Sequence, residues 1–260
     1  MKLEGKCAIV TGGAAGIGRA IALALAAEGA DVAIADVQMA KAEAVAQQII
    51  HLGRRGLAIR CDVGDSGQVD QIVGEVVEKL GGLHILVNNA GIIAPGLFWE
   101  TSDEVWQKII RTNLSGVFYC SRAAARVMLA QKQGGRIINI SSIHAVISEP
   151  QAAPYTASKG GMEAMSRTMA TELAPYKILV NCVAPGATFS ELTEPMYTDS
   201  VKAALFQRVP LGEIAQPEWI ASGVVFLASD EARYMTGQVI TIDGGFSMDG
   251  SLPGAKYWSE

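Results

Sequence analysis

Seven short apolar segments alternate along this chain with longer segments that have helical spacing. The apolar segments lie at residues 7–11, 31–36, 56–61, 84–89, 136–141, 178–183 and 238–243. Several are apolar from end to end, which is typical of strands that are covered on both faces of a parallel sheet. Repeated strand–helix–strand units need right-handed crossovers, which place helices on both faces. The pattern therefore predicts an α/β fold with one doubly wound parallel sheet of about seven strands.

The chain shows no feature that would divide it into separate units. Its 260 residues contain no linker, low-complexity segment or internal repeat, and 50% of them are apolar. A chain of this length can bury a substantial core as one unit. We therefore expect a single domain that covers residues 1–260.

Charge and hydropathy indicate the class of partner. The formal net charge is −5, whereas nucleic-acid binding needs a basic face. No uncharged apolar run reaches the roughly 18 residues of a membrane span, and the first residues lack the apolar region of a signal peptide. The four cysteines are scattered and form no CxxC motif, as in reducing compartments. The sequence predicts a cytoplasmic protein with a small-molecule substrate and with neither a nucleic-acid nor a membrane partner.

A glycine-rich turn follows the first predicted strand. Residues 12–18 read GGAAGIG and lead directly into a helical segment. Small residues there let a pyrophosphate approach the backbone, and the helix N-terminus offers unpaired N–H groups. The spacing is neither GxGxxG nor that of a P-loop, so a tight turn without a ligand is the alternative interpretation.

An acidic residue ends the second predicted strand, about 20 residues beyond the glycines. The carboxylate of Asp36 can accept hydrogen bonds from a ribose 2′-hydroxyl, and it would repel a 2′-phosphate. Ala15 and Val37 add no cation that could bind such a phosphate. These residues favour NAD over NADP, and the alternative is that Asp36 is an ordinary acidic residue at a strand end.

Tyr155 and Lys159 stand one helical turn apart, so they share a helix face. A free tyrosine has a pKa of about 10 and is a poor acid–base catalyst at neutral pH. A nearby cation favours the phenolate, and the positive charge of a bound nicotinamide could contribute further. The pair therefore predicts proton transfer to or from a carbonyl or alcohol. On its own, however, such a pair is more often a solvated feature of a helix surface.

Eight segments, taken in order, resemble the motifs of the short-chain dehydrogenase/reductase family. They lie at residues 11–18, 61–63, 88–91, 113, 140–142, 155–159, 185–186 and 243–245. The resemblance covers nearly the whole chain. It implies a single Rossmann-type domain and a nicotinamide-dependent oxidoreductase that is usually a homotetramer, associated through two long helices near 102–130 and 154–174.

The resemblance also implies catalytic roles. Ser142 would bind the substrate oxygen and Tyr155 would move the proton. Lys159 would hold the nicotinamide ribose and lower the pKa of the tyrosine, while Asn113 would anchor a water that relays the proton. Ser142 is assigned rather than Ser141 because it stands 13 residues before the tyrosine, and Ser141 points to the other side of the strand.

The resemblance further assigns the contacts to the cofactor NAD. They are Gly12, Ala15, Gly16, Ile17, Gly18, Asp36, Val37, Asp62, Val63, Asn89, Ala90, Gly91, Tyr155, Lys159, Pro185, Gly186 and Thr188. Asp62 is expected at the adenine. Thr188 is expected at the carboxamide, although the segment PGATFSE departs from the commoner spacing.

The substrate side is expected to involve Ser142 and Tyr155 together with His144, Glu149 and Gln151. Their polar character suggests a sugar or polyol dehydrogenase. An apolar wall could oppose that interpretation, formed by Ile92, Ile93, Leu97, Phe98 and Trp99. The alternatives are an NADPH-linked carbonyl or 3-oxoacyl-thioester reductase, and a non-catalytic regulator that binds the cofactor.

Three further expectations concern metals, a loop and the tail. The three histidines are too scattered for a metal site. Residues 185–212 are the least regular part of the chain and are predicted to form a mobile substrate loop. The tail at 247–260 carries Tyr257 and Trp258, which we expect to dock on a neighbouring subunit because an exposed aromatic patch is unfavourable.

Overall fold

The computed structural model of the chain describes residues 1–191 and 193–249. Tyr257 and Trp258, on which the prediction for the tail rests, lie outside the described residues. Within the described ranges, no helix has both the length and the apolar character that crossing a membrane requires. The described residues form the doubly wound α/β fold that the alternating pattern predicts.

A seven-stranded sheet stands at the centre, with the order β3-β2-β1-β4-β5-β6-β7. Every neighbouring pair is parallel. The strands are β1 (Cys7–Thr11), β2 (Asp31–Asp36), β3 (Gly56–Arg60), β4 (Ile85–Asn88), β5 (Gly135–Ile140), β6 (Ile178–Pro185) and β7 (Val239–Ile242). The predicted strand ends differ from these by two residues at most.

Helices cover both faces of the sheet. They are α1 (Gly16–Ala27), α2 (Met39–His51), α3 (Ser66–Leu80), α4 (Asp103–Ile110), α5 (Gly116–Gln131), α6 (Ala153–Leu173), α7 (Asp199–Arg208) and α8 (Pro217–Ala228). A π-helical turn, Arg111–Ser115, joins α4 to α5. These three consecutive helical segments form the long helix that was predicted near 102–130. The sequence analysis missed α7, which lies within the segment 185–212 that we expected to be irregular.

The central strand β1 shows why its residues are apolar without alternation. Ala8 and Val10 pack into one hydrophobic core, with α1 and α8. Cys7 and Ile9 point the other way, into a second core with α3 and α5. Because successive side chains of a strand face opposite sides, a strand between two helical layers needs apolar residues at every position.

The sheet brings the predicted site residues together at one edge. The strand order reverses between β1 and β4, and doubly wound sheets bind ligands beyond the carboxyl ends of their strands at such a point. The glycine turn follows β1, and Asp36 ends β2. Residues 89–91 follow β4, and Ser142 follows β5.

The glycine turn leaves no room for a side chain at Gly18. A Cβ there would lie 2.1 Å from the Gly12 carbonyl oxygen, so the Gly18→Ala variant must shift the backbone of the turn. We expect it to lower the free energy of unfolding by about 3 kcal/mol, as measured by urea denaturation. Gly74→Ala is the matched control, because a Cβ on this helical glycine meets nothing within 4 Å and should raise stability by about 0.5–1 kcal/mol. Equal stability of the two variants would contradict the packing argument.

Candidate functional site

A cleft of about 800 Å³ opens at the carboxyl edge of the sheet. All of the residues predicted to bind the cofactor line it, and so do Ser142, His144 and Glu149. Two predicted site residues, Asn113 and Gln151, do not line this cleft.

The glycine turn is fastened to the end of β4. The Asn89 side-chain amide donates hydrogen bonds to the carbonyl oxygens of Thr11 (3.1 Å) and Gly12 (2.9 Å). Gly12 has φ +62°, and a Cβ on it would approach the Ala90 Cα to 2.8 Å. Ala15 caps α1 without a side-chain hydrogen bond, so the first N–H groups of the helix remain open to an anionic ligand. This end of the cleft is suited to a pyrophosphate.

Asp36 braces this turn and also lines the cleft. Its carboxylate accepts the backbone N–H of Ala14 at 3.0 Å and that of Gln38 at 2.9 Å. The side chain is buried, and each carboxylate oxygen retains a lone pair for a further donor. The residue therefore has a structural role, and it can also accept hydrogen bonds from ribose hydroxyls.

Asp62 is held in place by two partners. One carboxylate oxygen accepts the Gly64 N–H at 2.9 Å, and the other pairs with the Arg111 guanidinium. Arg111 also donates to the Gly64 carbonyl oxygen at 3.2 Å. The arginine belongs to the π-helical turn, so this turn orients the residue that we expect at the adenine.

Tyr155 and Lys159 face one another on the first turns of α6. The Lys159 Nζ lies 5.5 Å from the centre of the tyrosine ring and donates a 2.7 Å hydrogen bond to the Ile140 carbonyl oxygen. Burial lowers the pKa of Lys159 to about 8, although the Cys182 thiol and the Glu163 carboxylate act in the opposite direction. At alkaline pH a smaller fraction of Lys159 is therefore in the ammonium form than of an exposed lysine.

The pKa of Tyr155 departs from the sequence-based expectation. Burial raises this pKa above its ordinary value, and the hydrogen bond with Ser142 opposes the increase only in part. Desolvation of the phenolate therefore outweighs any stabilisation by the Lys159 charge, and the net shift of this pKa is opposite to the predicted one. A bound nicotinamide cation would have to supply the remaining stabilisation.

Asn113 is fully buried and reaches the segment that follows β4. Its side-chain oxygen accepts the Ile92 N–H at 2.9 Å, and its amide donates to the Ile92 carbonyl oxygen at 2.9 Å. It also lies within hydrogen-bonding distance of the Ser158 hydroxyl (3.3 Å). In this geometry Asn113 fixes the cleft wall, and the π-helical turn around it is a feature often found at functional sites.

His144 and Glu149 form a polar pair at the substrate end of the cleft. The His144 Nε2 lies 3.3 Å from a Glu149 carboxylate oxygen, and the buried His144 Nδ1 has no partner among the described residues. Gln151 is exposed and lies outside the cleft. Its backbone takes a left-handed φ of 64°, and its carbonyl oxygen accepts the Gly96 N–H. The geometry thus does not support the predicted substrate contact of Gln151.

Several cleft residues were missed by the sequence analysis. They come from α7, the segment before it and the C-terminal part, and they are Thr193, Met196, Tyr197, Val201, Leu205 and Phe246. The Tyr197 hydroxyl accepts the Thr188 N–H at 3.1 Å. An acidic residue of the same segment, Glu191, pairs with Lys41 of α2. Only Val201 and Leu205 lie on α7, one helical turn apart, and α7 has no buried residue, so no regular buried face marks this set in the sequence.

Known proteins resemble the whole of this arrangement. A family model described as Enoyl-(Acyl carrier protein) reductase matches residues 12–247. The chain is 42% identical over 244 residues to the 3-oxoacyl-(acyl-carrier-protein) reductase FabG of Staphylococcus aureus strain Mu50, which covers 94% of this chain and 98% of that protein.

Solved structures agree over a similar extent. A short-chain type dehydrogenase/reductase from Mycobacterium marinum superposes with a TM-score of 0.90 at 39% identity, covering 94% of this chain and 96% of that one. A 7α-hydroxysteroid dehydrogenase in complex with NADH and 7-oxoglycochenodeoxycholic acid gives 0.91 at 33% identity, covering 94% and 95%.

Proposed function

The chain belongs to the short-chain dehydrogenase/reductase family, and from this membership we propose that it interconverts a secondary alcohol and a ketone with NAD(H). The observation that carries the proposal is the arrangement of Ser142, Tyr155 and Lys159 in the same cleft that the glycine turn and Asp36 line. An oxidoreductase that acts on CH–OH or carbonyl groups is the activity that the family supports.

The chemistry follows from the positions of these groups. A bound nicotinamide supplies or accepts the hydride. Tyr155 takes the hydroxyl proton of the alcohol during oxidation, or donates a proton to the carbonyl oxygen during reduction. Ser142 hydrogen-bonds the same oxygen, and Lys159 favours the phenolate by its charge. Asn113, in this proposal, keeps the wall beside these groups in place and anchors a relay water.

NAD rather than NADP is proposed because of Asp36. Its buried carboxylate stands beside the glycine turn, where it would accept ribose hydroxyls and repel a 2′-phosphate. The 7α-hydroxysteroid dehydrogenase relative was solved with NADH, which supports the same choice.

Two substrate classes are supported by different observations. The curated relatives are named 3-oxoacyl-(acyl-carrier-protein) reductases. They favour the NADPH-linked 3-oxoacyl-thioester alternative, as far as its substrate is concerned, over the sugar or polyol dehydrogenase that the polar residues suggested. We therefore place a 3-oxoacyl thioester first. The His144–Glu149 pair favours a polar, hydroxylated alcohol as the second candidate.

A nicotinamide-absorbance assay separates these candidates. Purified protein is tested with 3-oxoacyl thioesters, aldoses, polyols and simple secondary alcohols, each with both cofactors. Thioester reduction with NADH supports the first candidate, and oxidation of one polyol with NAD supports the second. Turnover with NADP(H) alone would overturn the cofactor assignment, and no turnover with any substrate would favour the non-catalytic regulator.

The Glu149→Gln variant tests the polar pair directly. We expect KM for a hydroxylated substrate to rise about 5- to 10-fold, because a hydrogen bond to a charged group is lost, while KM for an acyl thioester changes less than about twofold. Gln151→Asn is the matched control, because that residue lies outside the cleft and asparagine tolerates the left-handed backbone. Equal effects of Glu149→Gln on both substrate classes would remove the support for a polar substrate.

A homotetramer remains a proposal. Trp106 of α4 and Phe118 of α5 are exposed to more than 40%, and large exposed aromatic side chains favour association. A sedimentation-equilibrium mass of one chain would contradict it.

A further inference from the structure

A buried carboxylate lies behind the proposed catalytic groups. Glu163 of α6 stands one helical turn beyond Lys159 and two turns beyond Tyr155, so the three share one face of the helix. The residue is only 7% exposed. A glutamate is rarely buried to this degree unless it is paired.

The partner of Glu163 is the residue next to the catalytic serine. The Ser141 hydroxyl donates a 2.7 Å hydrogen bond to a Glu163 carboxylate oxygen. Ser141 points away from Ser142 because successive side chains beyond β5 alternate, and it is buried to 97%. The contact therefore ties the end of β5 to the interior face of α6.

Three consecutive residues are held by this one face of α6. The Ile140 carbonyl oxygen accepts from Lys159, Ser141 donates to Glu163, and Ser142 hydrogen-bonds Tyr155. A displacement of the strand end along the helix would break all three contacts together. The Ser141–Glu163 bond thus sets the position of Ser142 relative to the tyrosine, although Glu163 itself does not line the cleft.

The carboxylate also acts on the charge of Lys159. Two other titratable groups face the Lys159 ammonium: the Cys182 thiol on β6, and Tyr155, whose ring centre lies 5.5 Å from Nζ. Arg167 on α6 acts on the thiol, and the end of β5 contributes the uncharged Ser141. Burial raises the pKa of the Cys182 thiol to about 11, so this thiol is neutral near pH 8. Because the thiol is neutral there, Glu163 is the group among the described residues that supplies negative charge to the Lys159 ammonium.

From this geometry we infer that Glu163 is a positioning residue, which holds the strand end through Ser141 and keeps Lys159 in its ammonium form during turnover. The inference rests on the proposed function. Neutral lysine could no longer stabilise the Tyr155 phenolate, so alcohol oxidation should fail on the alkaline side of the pH profile once Lys159 loses its proton.

The Glu163→Gln variant separates charge from contact, because the glutamine oxygen can still accept from Ser141. We expect the alkaline limb of kcat/KM for oxidation to move about one pH unit lower, with cofactor affinity changed less than about twofold. Glu172→Gln, an exposed position on the same helix, should leave the profile unchanged. A Glu163→Gln profile that superimposes on the wild-type profile overturns the inference.

A second readout does not depend on turnover. In carbon-13 lysine-labelled protein, the Lys159 Cε signal is assigned by its loss in Lys159→Met. Its titration midpoint should fall in Glu163→Gln, even if no alcohol is oxidised and the proposed function fails. Should Glu163→Gln not fold, Ser141→Ala takes its place. It should move the midpoint in the same direction, because a buried carboxylate without its donor binds a proton more readily and then no longer stabilises the ammonium. An unchanged midpoint in the folded variant overturns the inference.

Discussion

Tyr155→Phe is expected to lower kcat by about 10³-fold, within the range known for loss of a general acid or base. Phenylalanine keeps the ring, so the packing beneath Lys159 and the cofactor end of the cleft are preserved. Because the cofactor contacts assigned to the glycine turn and Asp36 are untouched, NADH affinity should change less than about twofold. Stopped-flow or steady-state kinetics gives kcat, and a fluorescence titration gives the affinity.

The control is Tyr176→Phe, which removes the hydroxyl of an exposed tyrosine outside this cleft and should keep full activity. Turnover that survives Tyr155→Phe would mean that another group moves the proton. Weakened NADH binding would mean that the hydroxyl mainly holds the cofactor. A non-catalytic regulator would lose nothing in either assay, so the same variant also tests that alternative.

Asp36→Asn is expected to reduce the preference for NAD over NADP. Two unit charges about 4 Å apart interact by about 4 kcal/mol at an effective dielectric constant of 20, which corresponds to about 1,000-fold in affinity. Since the cleft admits solvent, we expect about 100-fold in the ratio of kcat/KM values. The ratio is measured with one substrate and both cofactors.

The structure adds a second consequence of this substitution. The carboxylate accepts the Ala14 and Gln38 N–H groups, and an asparagine can accept only one of them, so affinity for NAD should fall as well. Asp70→Asn, at an exposed position of α3, controls for the change in net charge. If the ratio of kcat/KM values for the two cofactors were unchanged while stability fell, Asp36 would only stabilise the glycine turn.

The sequence was sufficient to predict the sheet and its edge. Strands that are apolar at every position indicate that helices cover both faces of the sheet. Because these strands alternate with helical segments along the chain, the sheet is expected to be parallel. Each predicted group stands at the end of a strand or helix: the glycine turn, Asp36 and the Tyr155–Lys159 pair. The order of the strands therefore predicts that these groups meet at one edge of the sheet. Local patterns carry this information because they record which faces are buried.

Only the tertiary structure decided what each buried polar group contacts. The Ser141–Glu163 bond joins residues 22 positions apart, and Tyr197 reaches Thr188 across an irregular segment. The opposite sign of the Tyr155 pKa shift arises from burial in the assembled cleft. Periodicity cannot report such pairings or desolvation costs, because both depend on distances between elements that are set only when the helices pack on the sheet.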